Sequence, residues 1–269
     1  MKVGVYASMF GKDDPPTLET VESYIAYCAE LKVESIDFLA GRGWASHEPD
    51  YLLEIKMKCL RAGLSIGYLA SGGHFVGSDE ELEGKVEVTR EHARIASFLG
   101  APMIRVFCGE APEAEEDRRR EIRCFQQSCD HAAEVGVAVG LQNHPCTGDD
   151  VLRIHEGVGR PNFTVIMDTG QWLGSPGRNK GVGDPAHDIY RYMEQVAPLT
   201  SHVRAKFYKI DSGREEWLDY DRIVDILAGA GFNGTLGVVF EGKDVNACDD
   251  REVLRLAAAQ LRRLAGERS

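Results

Sequence analysis

The residues of this chain that could do chemistry sit where apolar runs turn polar at their C-terminal ends. Val137-Ala138-Val139-Gly140-Leu141-Gln142-Asn143-His144 is one such run. The change recurs at Val165-Ile166-Met167-Asp168, at His202-Val203-Arg204-Ala205-Lys206 and at Leu236-Gly237-Val238-Val239-Phe240-Glu241. Two carboxylates, a guanidinium, an ammonium and an imidazole are the groups that take a proton from beside a carbonyl and stabilise the oxyanion that forms. Side chains alternate along a strand, so Gly140 and Gln142 share a face that His144 continues, and His202, Arg204 and Lys206 share another. Asp168 and Glu241 end their runs and are expected to face the same mouth. A lone buried polar residue is usually satisfied by a neighbour. Charges at several strand ends are costly to bury and therefore point to a site.

The elements that must position these residues alternate without interruption. Strands are expected at 2–7, 35–40, 64–69, 101–107, 137–142, 163–168, 201–206 and 235–241. Helices are expected between and after them, at 17–32, 48–62, 78–99, 113–135, 148–158, 184–197, 219–230 and 249–265, with Gly63, Gly100 and Gly136 as stops. Asp13-Asp14-Pro15-Pro16-Thr17 reads as the loop into the first helix. Short connections between strands and helices imply a parallel sheet with right-handed crossovers. Eight units predict a single (β/α)8 barrel over residues 1–269, whose active site belongs at the C-terminal ends of the strands. An open nucleotide-binding sheet would show GxGxxG or GxxxxGK[ST] after its first strand; this strand runs into Ser8-Met9-Phe10-Gly11-Lys12-Asp13 instead.

Bulk properties narrow the function classes. A formal net charge of -12 argues against a nucleic-acid surface, and the basic cluster Arg118-Arg119-Arg120 is flanked by Glu115-Glu116-Asp117 and Glu121, as on a solvated helix face. The seven cysteines are scattered and form no CxxC pair, which suits reduced thiols in the cytoplasm. Cys146 follows His144 by two residues, but a buried thiol is commonly inert. No apolar run is long enough to span a bilayer.

The order of motifs resembles the xylose-isomerase-like TIM-barrel superfamily of sugar isomerases and epimerases, which also includes endonuclease-IV-type repair enzymes. The resemblance lies in Asp219-Tyr220-Asp221-Arg222-Ile223, Leu227, Gly231-Phe232-Asn233-Gly234 and Phe240-Glu241-Gly242. Gly100-Ala101-Pro102-Met103-Ile104-Arg105-Val106-Phe107 and Met167-Asp168-Thr169-Gly170 support it. It implies a divalent metal, manganese or magnesium, held by Glu, Asp, His and Glu from the last four strands, with carboxylates moving a proton through an enediol. Asp168 and Glu241 match the second and fourth of these ligands. Gln142 stands in place of the first glutamate, and His202-Val203-Arg204 in place of His-x-His. An amide oxygen ligates weakly and a guanidinium not at all.

Three carboxylates with one divalent cation sum to -1, and so do Asp168, Glu241 and Arg204. The favoured expectation is therefore a site without a cofactor in which Arg204 is the replacement cation; the alternative is a metal on a shifted set of His144, Asp168, His202 and Glu241, with Gln142 as a further possible ligand. In the metal-free scheme Arg204 and Lys206 stabilise an enolate oxygen, Glu241 or His144 takes the proton, and Asp168 orients Arg204. Gln142, Gln171, Trp172, Tyr6, His74 and Arg105 are candidate contacts to a sugar or polyol-like substrate. The expected activity is isomerisation or epimerisation of a small polyhydroxylated keto compound. A metal-dependent lyase or dehydratase of the same superfamily and a ligand-binding barrel without catalysis are the alternatives. The repair branch needs more metal ligands and a basic groove, so no nucleic-acid or membrane partner is expected. The loop 170–184, Gly-rich and basic, suits a lid or a plain surface loop, and a homo-oligomer fits related barrels.

Overall fold

The apolar runs become eight parallel strands: β1 Lys2–Tyr6, β2 Ser35–Leu39, β3 Ser65–Ala70, β4 Met103–Phe107, β5 Ala138–Gln142, β6 Phe163–Asp168, β7 Thr200–Phe207 and β8 Thr235–Phe240. They pair in chain order, and β8 closes on β1 with Lys2 opposite Thr235. The helices that alternate with them are α1 Val21–Glu30, α2 Pro49–Arg61, α3 Asp79–Leu99, α4 Glu115–Glu134, α5 Gly148–Val158, α6 Ile189–Val196, α7 Tyr220–Gly229 and α8 Asp250–Glu267. The result is the expected (β/α)8 barrel. Strands covered by helices outside and packed side chains inside are buried on both faces, which is why they read as near-continuous apolar runs. The computed structural model of the chain describes residues 1–7, 18–72, 74–109 and 114–268, with Lys243 by its backbone alone. The loop expected at 13–17 lies outside the described residues.

Local chemistry sets the helix ends. Ser78 accepts from Glu81 N while Glu81 accepts from Ser78 N, and Thr147 and Asp150 form the same reciprocal cap at α5. Two helices are shorter than their patterns: Thr20 caps α1 at Val21, and the Asp188 carboxylate accepts from the Tyr190 and Arg191 amides to start α6 at Ile189. Among the described residues no helix is long and apolar enough to cross a membrane, and all seven thiols are free.

The barrel interior has a polar floor. His202 Nε2 and Asp37 Oδ2 lie 3.0 Å apart, with the imidazole edge-on to the Tyr68 ring. Glycine makes room for them: a Cβ on Gly67 would lie 2.2 Å from Asp37 Oδ1, and one on Gly237 would lie 2.7 Å from Asp37 Oδ2. Above this floor the strand ends deliver the polar layer that forms the mouth.

The segment 170–184 is a folded turn. A 3-10 turn at Pro176–Asn179 is closed by Gly181 N donating to Pro176 O at 2.9 Å and Asp184 N to Gly174 O at 3.0 Å. Tyr208 packs beneath it, its hydroxyl donating to Gly170 O at 3.2 Å.

Candidate active site

Strands β4 to β8 build a connected polar network at the C-terminal mouth. Asp168, at the end of β6, is fully buried and is the hub. Its Oδ2 accepts from Arg204 Nε at 3.0 Å and from Gln142 Nε2 at 3.1 Å, and Lys206 Nζ lies 3.7 Å away. Its Oδ1 accepts from Gly170 N at 3.1 Å. Asn143 fixes the backbone beneath, donating to Asp168 O at 2.9 Å and accepting from Asp168 N at 2.8 Å.

The cations extend the network outward. Arg204 Nη1 donates to the Tyr68 hydroxyl, and its guanidinium lies over the Tyr6 ring, 4.2 Å from the centroid. Burial works against the charge on Arg204, but Tyr68 and Asp168 outweigh it and hold the group protonated above its ordinary range. Lys206 Nζ donates to Glu241 Oε1 across the β7–β8 pair, and Gln171 Nε2 approaches Glu241 Oε2 at 3.3 Å. Arg105 Nη1 donates to Gln142 Oε1 at 2.7 Å, and its guanidinium lies 4.1 Å from the Phe107 ring centroid.

These groups surround an open cavity of about 370 Å³. Tyr6, Arg105, Gln142, His144, Gln171, Arg204, Lys206 and Glu241 all line it. His144 is half-buried with its ring 5.4 Å from that of Phe107, and burial lowers its pKa, so the imidazole is neutral at neutral pH and able to accept a proton. The Glu241 side chain is 34% exposed and lines the same space.

The family model described as xylose isomerase-like TIM barrel matches residues 19–264. The chain belongs to that family. Solved structures agree on the fold of this xylose isomerase-like barrel. A xylose isomerase domain protein from Planctomyces limnophilus superposes with a TM-score of 0.73 at 19% identity, covering 99% of this chain and 97% of that one. D-psicose 3-epimerase from Clostridium cellulolyticum gives 0.78 at 15% identity, covering 98% of each chain. The probable 3-DHS dehydratase of Bacillus anthracis gives 0.71 at 17% identity, covering 97% of this chain and 99% of that one. No protein among those of curated function matches the sequence.

Within this xylose isomerase-like barrel three expectations need correction. Trp172 is fully buried, drawn behind the mouth by a parallel bridge to Cys146 and packed against Tyr192, so its ring offers no face to a substrate. His74 is exposed but packs over Gly109 and does not line the cavity. His202 belongs to the floor, where Asp37 engages it, and cannot join His144, Asp168 and Glu241 around one ion. Among the described residues no three His, Cys, Asp or Glu side chains are placed to hold a metal.

The donor chemistry says the same of the metal that the family resemblance implies. The space beside Asp168 and Glu241 holds the ammonium of Lys206, and the Gln142 amide oxygen is taken by Arg105. A divalent cation there would face two buried cations at short range, so these residues do not fit it. The charge sum also changes: Arg204 and Lys206 together balance Asp168 and Glu241, so these four groups sum to zero where the sequence count without Lys206 gave -1.

Sequence reasoning missed Arg42, Tyr68, Ser71 and Phe107. Tyr68 is fully buried yet presents its hydroxyl to Arg204, and Ser71 O accepts a long 3.4 Å contact from Arg105 Nη2. Asp37 was readable as a lone charge inside an apolar strand, whereas Arg42 follows β2 in a loop where no periodicity signals position. Cys146 is no nucleophile: its contact with Cys108 Sγ at 3.4 Å and its burial raise the thiol pKa well above the ordinary range.

Proposed function

We propose that the protein moves a proton on a small polyhydroxylated keto compound, as a sugar isomerase or epimerase does, with side-chain cations serving where the family resemblance implies a metal. The observation that carries this reading is the Arg204–Lys206 pair at the cavity wall, both buried and both engaged with the carboxylates beside them. A carbonyl oxygen placed against these cations would be polarised, and the enolate formed on proton removal would be stabilised by them. Glu241 takes the proton from the carbon beside the carbonyl, the electron pair moves onto the oxygen, and protonation at the neighbouring carbon or the opposite face completes the reaction. Glu241, just past β8, and neutral His144, beyond β5, both line the mouth and are the two proton carriers that inversion at one carbon requires.

Proton exchange in heavy water tests the reading. Incubated with a panel of ketoses and keto sugar acids, the protein is expected to wash deuterium into the carbon beside the carbonyl, followed by NMR. Loss of water from the same enolate would instead produce a new ultraviolet absorbance and identify an elimination. Absence of both across the panel would sink the proposal and leave a binding barrel.

A further inference from the structure

Arg105 is the one cation of the network without a carboxylate. It is 4% exposed, and its partners are the Gln142 amide oxygen, the Ser71 carbonyl and the face of Phe107, all of them neutral. Among the described residues it forms no salt bridge, and its buried Nε has no hydrogen-bond partner. Arg204 and Lys206 are matched by Asp168 and Glu241, so Arg105 leaves the wall with one uncompensated positive charge. Asp37 does not redress the balance, since it sits in the floor against His202. A buried guanidinium is costly unless a counter-charge reaches it, and burial here disfavours its charged form. The chain as a whole carries -12, so the positive mouth is a local arrangement opposed to the overall charge, and a low-dielectric cleft concentrates such a field.

We infer that the substrate is an anion: a polyhydroxylated compound whose carboxylate or phosphate ester is recognised by Arg105. The inference rests on reading this cavity as the substrate site. It adds that a neutral sugar lacks the group the pocket is built to receive.

Equilibrium binding to the full chain, measured by calorimetry with D-sorbitol, D-gluconate and D-sorbitol 6-phosphate, tests it without requiring turnover. Gluconate replaces one CH2OH of sorbitol by a carboxylate and the phosphate ester adds its charge at the other end, so the preferred anion identifies the source. One of the two is expected to bind about tenfold to a hundredfold tighter than sorbitol, the range for a hydrogen bond to a charged group. The advantage should shrink with added salt. Arg105→Gln should remove the advantage, read as the ratio of anion to sorbitol affinity within the variant, and Arg105→Lys, which retains the charge, should keep part of it. Anions no tighter than sorbitol, no binding by any of the three at millimolar concentration, or an advantage unchanged in Arg105→Gln each overturns the inference. If Arg105→Gln does not fold, the three-ligand comparison on the native chain decides. Proton exchange on neutral ketoses with no anion preference would end this inference and leave the proposed activity standing; tight anion binding without exchange on any keto compound would do the reverse.

Discussion

Gln142 Oε1 accepts a 2.7 Å hydrogen bond from Arg105 Nη1, and this contact turns the amide nitrogen of Gln142 towards Asp168. A glutamine is what the position needs, because one neighbour requires an acceptor and the other a donor. Gln142→Leu should strand both and lower stability by about 1–3 kcal/mol for each group left unpaired. Gln142→Glu should keep the Arg105 contact but lose the donation to Asp168 and set a second carboxylate against it, so it should fall between the native protein and Gln142→Leu. Urea unfolding of the variants checks this, and a Gln142→Leu protein as stable as the native one would mean the relay is absent.

The barrel and the rim were legible in the sequence for one physical reason. Strands buried on both faces must be apolar, so the residues at which Val165-Ile166-Met167 gives way to Asp168, or Val239-Phe240 to Glu241, stand out as the place where chain meets cavity. Depth was legible too: two-residue alternation along β7 places His202 two steps below Lys206. Side-chain partners on other strands were not. Tyr68 meets Arg204 and Arg105 meets Gln142 because of how the strands are staggered around the closed sheet, and no local pattern encodes that stagger. The fate of Trp172 was equally hidden, since an isolated bridge to Cys146 decides which way a loop residue turns.

Arg204 satisfies Asp168, Tyr68 and the face of Tyr6 at once. Arg204→Met leaves a fully buried carboxylate with only Lys206 as a nearby cation, and a loss of about 3–5 kcal/mol is expected. Arg204→Lys restores the charge without the planar fork and should fall between the two. Chemical denaturation of the three proteins orders them; an Arg204→Met protein that melts with the native one would contradict the hub assigned to Asp168.

Two glycines should respond to alanine with opposite signs. A Cβ on Gly67 would come 2.2 Å from Asp37 Oδ1 and 2.7 Å from His202 Cε1, and those two side chains hold each other in place. Gly67→Ala should therefore destabilise by about 1–3 kcal/mol or more through overpacking. Gly84 lies exposed inside α3 with no atom within 4 Å of the added carbon, so Gly84→Ala should stabilise by about 0.5–1 kcal/mol. Thermal melts of the pair, read side by side, separate the steric effect from the general effect of removing a glycine.

On the proposed activity, Glu241→Gln should slow proton exchange by roughly 10²–10⁴-fold, the usual weight of a general base. Urea unfolding of the variant separates that loss from any destabilisation caused by leaving the buried Lys206 ammonium with Asp168 alone. His144 has a pKa below its ordinary value because burial disfavours the imidazolium, so a step that needs neutral imidazole should persist to lower pH than an ordinary histidine would allow. An exchange rate in Glu241→Gln equal to that of the native protein would remove Glu241 from the mechanism.

Glu121 gives a prediction independent of the mouth. It lies on α4, 1% exposed, beside a small apolar cavity that Ile122, Ile154, Cys108 and Cys146 also line, and its Oε1 has no hydrogen-bond partner among the described residues. Burial, reinforced by Asp150 and opposed by Arg118, pushes its carboxyl up to about 8. In the unfolded chain the same group titrates near about 4.3. Between these values the folded protein holds a proton that the unfolded chain has released, so stability is highest below the unfolded pKa and falls as pH rises to about 8. Glu121→Gln fixes the neutral form. It should match the native protein near pH 4 and exceed it by about 1–3 kcal/mol at pH 9, well under the full linkage of roughly 5 kcal/mol because a buried carboxylate draws in water and counter-charge. Urea midpoints at pH 4, 7 and 9 give the difference directly. A gap that stays constant across that range would show that Glu121 is ionised in the folded protein throughout, with a cation or solvent satisfying its Oε1.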